Sequence, residues 1–338
     1  RAGVLLCNLG GPEVNEDVEG FLFNLFSDKD IIRLPKLLSF LQRPIAKVLS
    51  QRRAPQSRAA YQSIGGGSPI VRWTNAQASA LEVSLAQRGL PGTRCYVAMR
   101  YWHPYTAQAL EEIAADGINT LVVLPLYPQF SISTSGSSLR VLREELERAP
   151  HVAAGMVHTV IKSWHDRPGY IAAVARQCVD EVLKLPADAL ARGATTVLFS
   201  AHGVPQSYIA EGDPYQTQVN LEARALLADT PAAAGADVAF ELSYQSRVGP
   251  VEWLRPYTDD KIRDVARGGA ESLVVVPISF VSEHIETLEE IDVEYRKVAE
   301  AAGIRNWRRV PALGTDARFI ADLSAMVVEA LVSPPLSV

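Results

Sequence analysis

Six short runs of apolar, β-favouring residues recur along the chain, at 4–8, 96–100, 121–126, 196–200, 238–242 and 273–278. The runs are continuously apolar rather than alternating, so both faces of each strand are expected to be covered, as in a parallel sheet. Longer segments with helical spacing lie among them, at 75–88, 106–115, 139–148 and 169–183. This order is the α/β pattern. It also repeats. Asn8-Leu9-Gly10-Gly11-Pro12 ends the first run, and Ser200-Ala201-His202-Gly203-Val204-Pro205 ends a later one. Met99-Arg100-Tyr101 is matched by Ser243-Tyr244-Gln245-Ser246, and Leu121-Val122-Val123-Leu124-Pro125 by Leu273-Val274-Val275-Val276-Pro277. Three matches in one order predict two similar α/β halves, and 338 residues are enough for two domains.

In open α/β sheets ligands bind beyond the carboxyl ends of the strands. The unusual polar residues fall at those ends, so a cleft between the halves is expected to collect them. A formal net charge of -5 argues against nucleic acid as the main partner. Uninterrupted apolar stretches fall short of the twenty or so residues that a membrane span needs. The chain opens on Arg1 and runs directly into a strand, without a signal-peptide pattern. Cys7, Cys95 and Cys178 are far apart and in no metal-ligand spacing, so buried thiols are expected and an iron–sulfur cluster is not.

Three features carry chemistry. His202 stands where a strand stops and Gly203 begins a turn, and an imidazole there can bind a metal or accept a proton near neutral pH. A histidine merely capping the strand end is the plain alternative. Residues 282–295 hold six carboxylates and no basic residue. On an α-helix Glu283, Glu286, Glu290 and Glu294 would form one stripe, suited to a proton path or to a weakly held divalent cation. A solvated acidic face is the alternative. Between 29 and 53 apolar residues interleave with Lys29, Arg33, Lys36, Arg43, Lys47, Arg52 and Arg53. Such a segment can rest on an anionic membrane or fold as a packed helix pair broken at Pro35 and Pro44. Gly65-Gly66-Gly67-Ser68-Pro69 reads as a flexible loop able to close over a ligand, not as a phosphate loop.

At these residues the chain resembles the ferrochelatase family. The matching segments are Asn8-Leu9-Gly10-Gly11-Pro12, Ile64-Gly65-Gly66-Gly67-Ser68-Pro69-Ile70, Ser200-Ala201-His202-Gly203, Tyr244-Gln245-Ser246-Arg247-Val248-Gly249-Pro250 and Ser282-Glu283-His284-Ile285-Glu286-Thr287-Leu288. Arg100-Tyr101-Trp102-His103-Pro104 and Leu126-Tyr127-Pro128-Gln129-Phe130-Ser131 look like the plastid and cyanobacterial branch. The resemblance implies two Rossmann-like, chelatase-type domains with the active-site cleft between them. The expected division is 1–155, with an apolar lip at about 29–53; 156–307, with the histidine and the acidic helix; and 308–338, a strand and helix packing back on the first domain, then a tail at Ser333-Pro334-Pro335.

The implied activity is insertion of Fe²⁺ into protoporphyrin IX, the terminal step of haem biosynthesis, with no cofactor beyond the substrate iron. His202 and Glu286 would be the catalytic and metal-binding pair, and Glu283, Glu290 and Glu294 the proton or metal path. Leu9, Arg53, Tyr61, Ser68, Arg100, Tyr101 and Trp253 would bind the porphyrin. Expected partners are porphyrin, ferrous iron and a peripheral membrane surface, with no nucleic acid; a homodimer is compatible with the sequence but not specified by it. The implied location is the plastid in a eukaryote, or the cytoplasm and membrane periphery in a cyanobacterium. Two other readings stay open: a porphyrin or haem carrier without turnover, and a chelatase for coproporphyrin or another metal. The carboxy-terminal cysteine cluster of the animal enzymes is absent from this sequence.

Overall fold

The computed structural model describes residues 1–230 and 238–333. It contains two four-stranded sheets with parallel pairing throughout. The first holds β1 (Ala2–Asn8), β2 (Arg94–Met99), β3 (Thr120–Pro125) and β4 (Val157–Val160), in the order β2-β1-β3-β4. The second holds β5 (Thr195–His202), β6 (Val238–Gln245), β7 (Ser272–Pro277) and β8 (Asn306–Arg309), in the order β6-β5-β7-β8. The two sheets thus share one topology, and each is a Rossmann-like unit, as the repeated runs predict.

Matched hydrogen bonds extend the repeat. Leu126 N–H donates to the Cys7 carbonyl (2.8 Å), and Ile278 N–H to the Ser200 carbonyl (3.1 Å). Met99 N–H donates to Pro104 (2.7 Å), and Tyr244 N–H to Pro256 (2.8 Å). Each proline opens a Pro-Tyr-Thr sequence that leads into a helix, Thr106–Ala115 or Thr258–Arg267. This register sets Cys7 against Ser200, and therefore Leu9 against His202.

The central strands explain the layering. Leu5, Cys7, Leu121 and Val123 pack with Ala109, Leu110 and Ile113 of one helix and Leu139, Leu142 and Leu146 of another. The alternate residues Val4, Leu6, Val122 and Leu124 are also buried, so the opposite face is covered too. In the second sheet Leu198, Leu273 and Val275 pack with Ile262, Ile291 and Ala299. Each fully buried aliphatic side chain contributes about 1.5–3 kcal/mol relative to exposure.

The chain separates into a first unit of residues 1–163, rejoined from Ile320 onward, and a second unit, Trp164–Phe319. The edge strand β4 carries the first unit beyond residue 155. The final helix, Ala317–Val332, returns to the first unit through Ser324, whose hydroxyl accepts from Arg88 Nε (2.7 Å) and meets Ser84 Oγ (2.8 Å). The tail at Pro334 and Pro335 lies outside the described residues.

Two expectations are corrected. The segment at 282–295 is not an α-helix that carries Glu283. The helix that bears the carboxylates is a π-helix, Glu286–Tyr295, and Glu283 precedes it. A shorter π-helix, Ile132–Gly136, follows β3 as this one follows β7. Nor is the Gly65–Gly67 loop free to swing. Ser68 N–H donates to the Pro12 carbonyl (2.7 Å), and a Cβ on Gly67 would stand 2.0 Å from the Glu13 carbonyl oxygen. Only glycine lets these two backbones touch. Gly67→Ala is therefore expected to cost about 1–3 kcal/mol, read as a lower denaturation midpoint at unchanged slope.

Candidate active site

β5 is one of the two inner strands of the second sheet, and its last residue is His202. Strand register puts His202 beside Gln245, at the end of β6. The chain then turns at Gly203, where a Cβ would lie 2.8 Å from the Gln245 carbonyl oxygen and 3.2 Å from the Trp253 ring. His202 is fixed from several sides. Its backbone N–H donates to Ser279 Oγ (3.0 Å), and its carbonyl accepts from Tyr215 OH (2.8 Å). Its Nδ1 donates to the Gly203 carbonyl (2.5 Å), which leaves Nε2 for the open side.

Nε2 faces a carboxylate. It stands 3.5 Å from Glu286 Oε1, while Glu286 Oε2 stands 3.7 Å from Nε2 of a second imidazole, His284. The ring of Phe280 packs against both, with centroids 6.1 Å from His202 and 4.4 Å from His284. Two donors each about 2.1 Å from one cation can be at most about 4.2 Å apart. Both imidazole–carboxylate gaps fit within that span.

The charges are interdependent. Burial pushes His202 down, but the Glu286 carboxylate outweighs it and lifts the imidazole to about 9. Burial alone would raise Glu286, yet the His202 charge holds it well below the usual carboxylate range. Both shifts favour imidazolium beside carboxylate at neutral pH.

Glu290 lies one turn further along the π-helix. Its oxygens accept from Ser246 N–H (2.9 Å), Ser246 Oγ (2.6 Å), Tyr295 OH (2.8 Å) and Gln245 Nε2 (3.2 Å). Despite these donors, burial and then the neighbouring Glu286 charge push it above its ordinary value. Burial, Glu294 and Glu290 together raise Glu289 to about 6. Glu294 is exposed, and with Glu290, Tyr295, Ser246, Arg247 and Asp259 it lines a cavity of about 260 Å³. The carboxylates thus step outward from His202 through Glu286 and Glu290 to solvent at Glu294.

Glu283 does not join that series. Its carboxylate is held by Arg309 (2.9 and 3.1 Å), the Ala312 N–H (3.0 Å) and the Thr287 hydroxyl. Trp253 is half-buried against Gly203, with its indole N–H on the Val248 carbonyl (2.8 Å).

The remaining predicted residues belong to the first unit. Leu9 follows β1 and is partly exposed. Arg53 is exposed on the helix Gln42–Ser63, while Tyr61 of that helix is buried. Ser68 caps the turn into the next helix, its Oγ accepting from Ile70 N–H (3.4 Å). Arg100 is committed to Asp28 Oδ2 (2.6 Å) and Ser137 Oγ (2.7 Å). Tyr101 is 0% exposed and donates to the same Asp28 oxygen (2.7 Å), so its ring has no surface to offer a ligand. Arg140 completes this buried cluster (2.8 Å). Burial opposes the charge on Asp28, but Arg100 and the hydroxyl donors keep its carboxyl below the ordinary range.

Sequence reasoning gave no role to Gln245, Ser246, Tyr295, His284 or Arg309. Ser246 holds a positive φ of 66°, which directs its N–H at Glu290, and no residue pattern signals that. Gln245 and Ser246 do lie within a segment that carries the family resemblance.

The chain matches the ferrochelatase family over residues 1–331. It is 54% identical over 332 residues to ferrochelatase-2, chloroplastic, of Arabidopsis thaliana, covering 98% of this chain and 64% of that protein. It is 54% identical over 340 residues to the ferrochelatase of a Cyanothece species, covering 99% of this chain and 84% of that one. The chain therefore spans just under two thirds of the Arabidopsis relative's length. Among solved structures, SirB from Bacillus subtilis with Fe3+ is similar in fold, with a TM-score of 0.56 at 13% identity over 98% of this chain and 96% of that one.

The electrostatics make a prediction for the metal-free protein. NMR titration of the His202 imidazole should give a midpoint near 9. In Glu286→Gln burial dominates, and the midpoint should fall below the ordinary 6.5. Because the folded value is the higher one, this proton stabilises the fold fully below about 6.5, and the benefit disappears as pH rises through about 9.

Proposed function

The chain belongs to the ferrochelatase family, and from that membership we propose that it inserts Fe²⁺ into protoporphyrin IX with release of two protons. The observation that carries the proposal is the His202–Glu286 pair at the end of the inner strand β5, backed by carboxylates that lead outward. A pair that holds one proton at neutral pH can exchange it for a cation. Arrival of Fe²⁺ and departure of a proton are then one event at Nε2, and the one positive charge gained is offset by the neighbouring carboxylates. The pyrrole protons leave toward the same pair, and Glu289 and Glu290, both raised toward neutrality, take them on toward Glu294. A carrier would need no such outward series. Leu9, Arg53, Tyr61, Ser68, Arg100 and Trp253 are the proposed porphyrin contacts; the buried Tyr101 acts by holding Asp28 and Arg100 in place.

The test is turnover with Fe²⁺ and porphyrin. His202→Ala should lose about 10²–10⁴-fold in rate while still binding porphyrin. Glu286→Gln should lower turnover more than porphyrin affinity. Parental turnover in His202→Ala would sink the assignment. Running the assay with coproporphyrin beside protoporphyrin separates the two chelatase readings.

The lip supports a membrane contact. Leu37 is 86% and Phe40 73% exposed, in a turn flanked by Lys36, Arg43 and Lys47. None of the helices among the described residues is long and apolar enough to cross a membrane. The proposed contact is a peripheral one, at a plastid or cyanobacterial membrane. Leu37→Ser with Phe40→Ser should weaken sedimentation with anionic vesicles by about tenfold or more. Unchanged partitioning would remove the lip from that role.

A further inference from the structure

We propose that Arg309 is a positioning residue for iron insertion: its guanidinium ties the entry and the middle of the π-helix to β8, and so sets where Glu286 stands against His202. The proposal rests on the reading of His202 and Glu286 as the inserting pair.

Arg309 is the last residue of β8, the edge strand of the second sheet, and its side chain is 9% exposed. One arm, Nη1, donates to both oxygens of Glu283 (2.9 and 3.1 Å) and to the Val310 carbonyl (3.3 Å). The other side, Nε, donates to Asp292 Oδ2 (2.6 Å). Asp292 also meets Trp307 Nε1 of the same strand (3.5 Å). Glu283 and Asp292 bracket Glu286, Glu289 and Glu290.

The bracket tightens locally around Glu286. The Thr287 hydroxyl donates to Glu283 and accepts from the His284 N–H (3.1 Å). The residues on either side of Glu286 are thereby joined to the carboxylate that Arg309 grips. A π-helix has wide turns and is rarely sustained beyond a single turn, so this one needs anchors outside its own backbone. The segment also crowds like charges, and Arg309 neutralises two of them, Glu283 before the helix and Asp292 within it. A planar fork serves two carboxylates at once; an ammonium is a point charge and cannot reproduce that geometry.

The experiment compares the parent, Arg309→Ala, Arg309→Lys and His202→Ala for iron-insertion turnover and for porphyrin dissociation constant by fluorescence quenching. Arg309→Ala should lose about ten- to a hundredfold in turnover with porphyrin affinity retained. Millimolar guanidinium, well below denaturing levels, should restore part of the loss. Arg309→Lys should remain slow, which also covers the case in which the alanine variant does not fold. Turnover at the parental rate in either Arg309 variant would overturn the proposal. So would loss of turnover and porphyrin affinity in equal measure, with no response to guanidinium, since that is the behaviour of a residue needed only for folding. If His202→Ala inserts iron as fast as the parent, the functional reading itself fails, and the two failures are told apart.

Discussion

Crowding carboxylates onto one partly buried helix is unfavourable, and the second unit is arranged around relieving it. Each group is relieved differently. Glu283 and Asp292 are matched by Arg309, a cation fixed in the sheet. Glu286 is matched by His202 and His284, cations only when protonated. Glu290 and Glu289 rise toward the protonated form, and Glu294 is exposed to water. The permanent charge sits where the helix must be held still, and the removable charge sits where chemistry is needed. On the proposed reading, a divalent cation entering at Glu286 would replace the one kind of neutralisation that can leave.

Much of this was legible in the sequence because it follows from burial. The inner strands β1, β3, β5 and β7, buried on both faces, read as unbroken apolar runs; β2 and β6, at the opposite sheet edges, are legible from shorter β-favouring runs, and the order of the residues that end these six strands gives the repeat. The remaining edge strands, β4 and β8, do not stand out. Val157–Val160 and Asn306–Arg309 are half-exposed and mixed in character, and they pair on one side only. The acidic run was visible as composition, but its geometry was not. A spacing of 3.6 residues joins Glu283 to the stripe, whereas the π-helix excludes it and gives it to Arg309. Asp28 stands in the sequence as a carboxylate ahead of a basic segment, yet it gathers Arg100, Tyr101, Ser137 and Arg140. Contacts that close over 72 to 112 residues leave no local pattern.

The repeat also shows what the two halves do not share. In matched register Leu9 occupies the place of His202. In the first unit the residues after β2, Arg100 and Tyr101, bind a carboxylate through a guanidinium and a hydroxyl; in the second, Gln245 at the end of β6 and Ser246 after it bind one through a side-chain amide, a backbone N–H and a hydroxyl. The first arrangement is charge-compensated and closed. The second leaves a carboxylate above its ordinary pKa and an imidazole beside another. One backbone design thus carries a charge-compensated cluster in one copy and a titrating one in the other, decided by the side chains at the strand ends.

The final helix gives the chain a particular order of completion. The second unit lies wholly between residues 164 and 319, while the first is begun at residue 1 and rejoined only from Ile320. During synthesis from the amino terminus, every strand and helix of the second unit exists before the first has all its parts. Until the last helix arrives, Ser84 and Arg88 lack Ser324 and the first unit's surface around them is uncovered. Of the two units, the one whose synthesis starts first is the later to be finished, and removal of the helix Ala317–Val332 is therefore expected to damage the first unit.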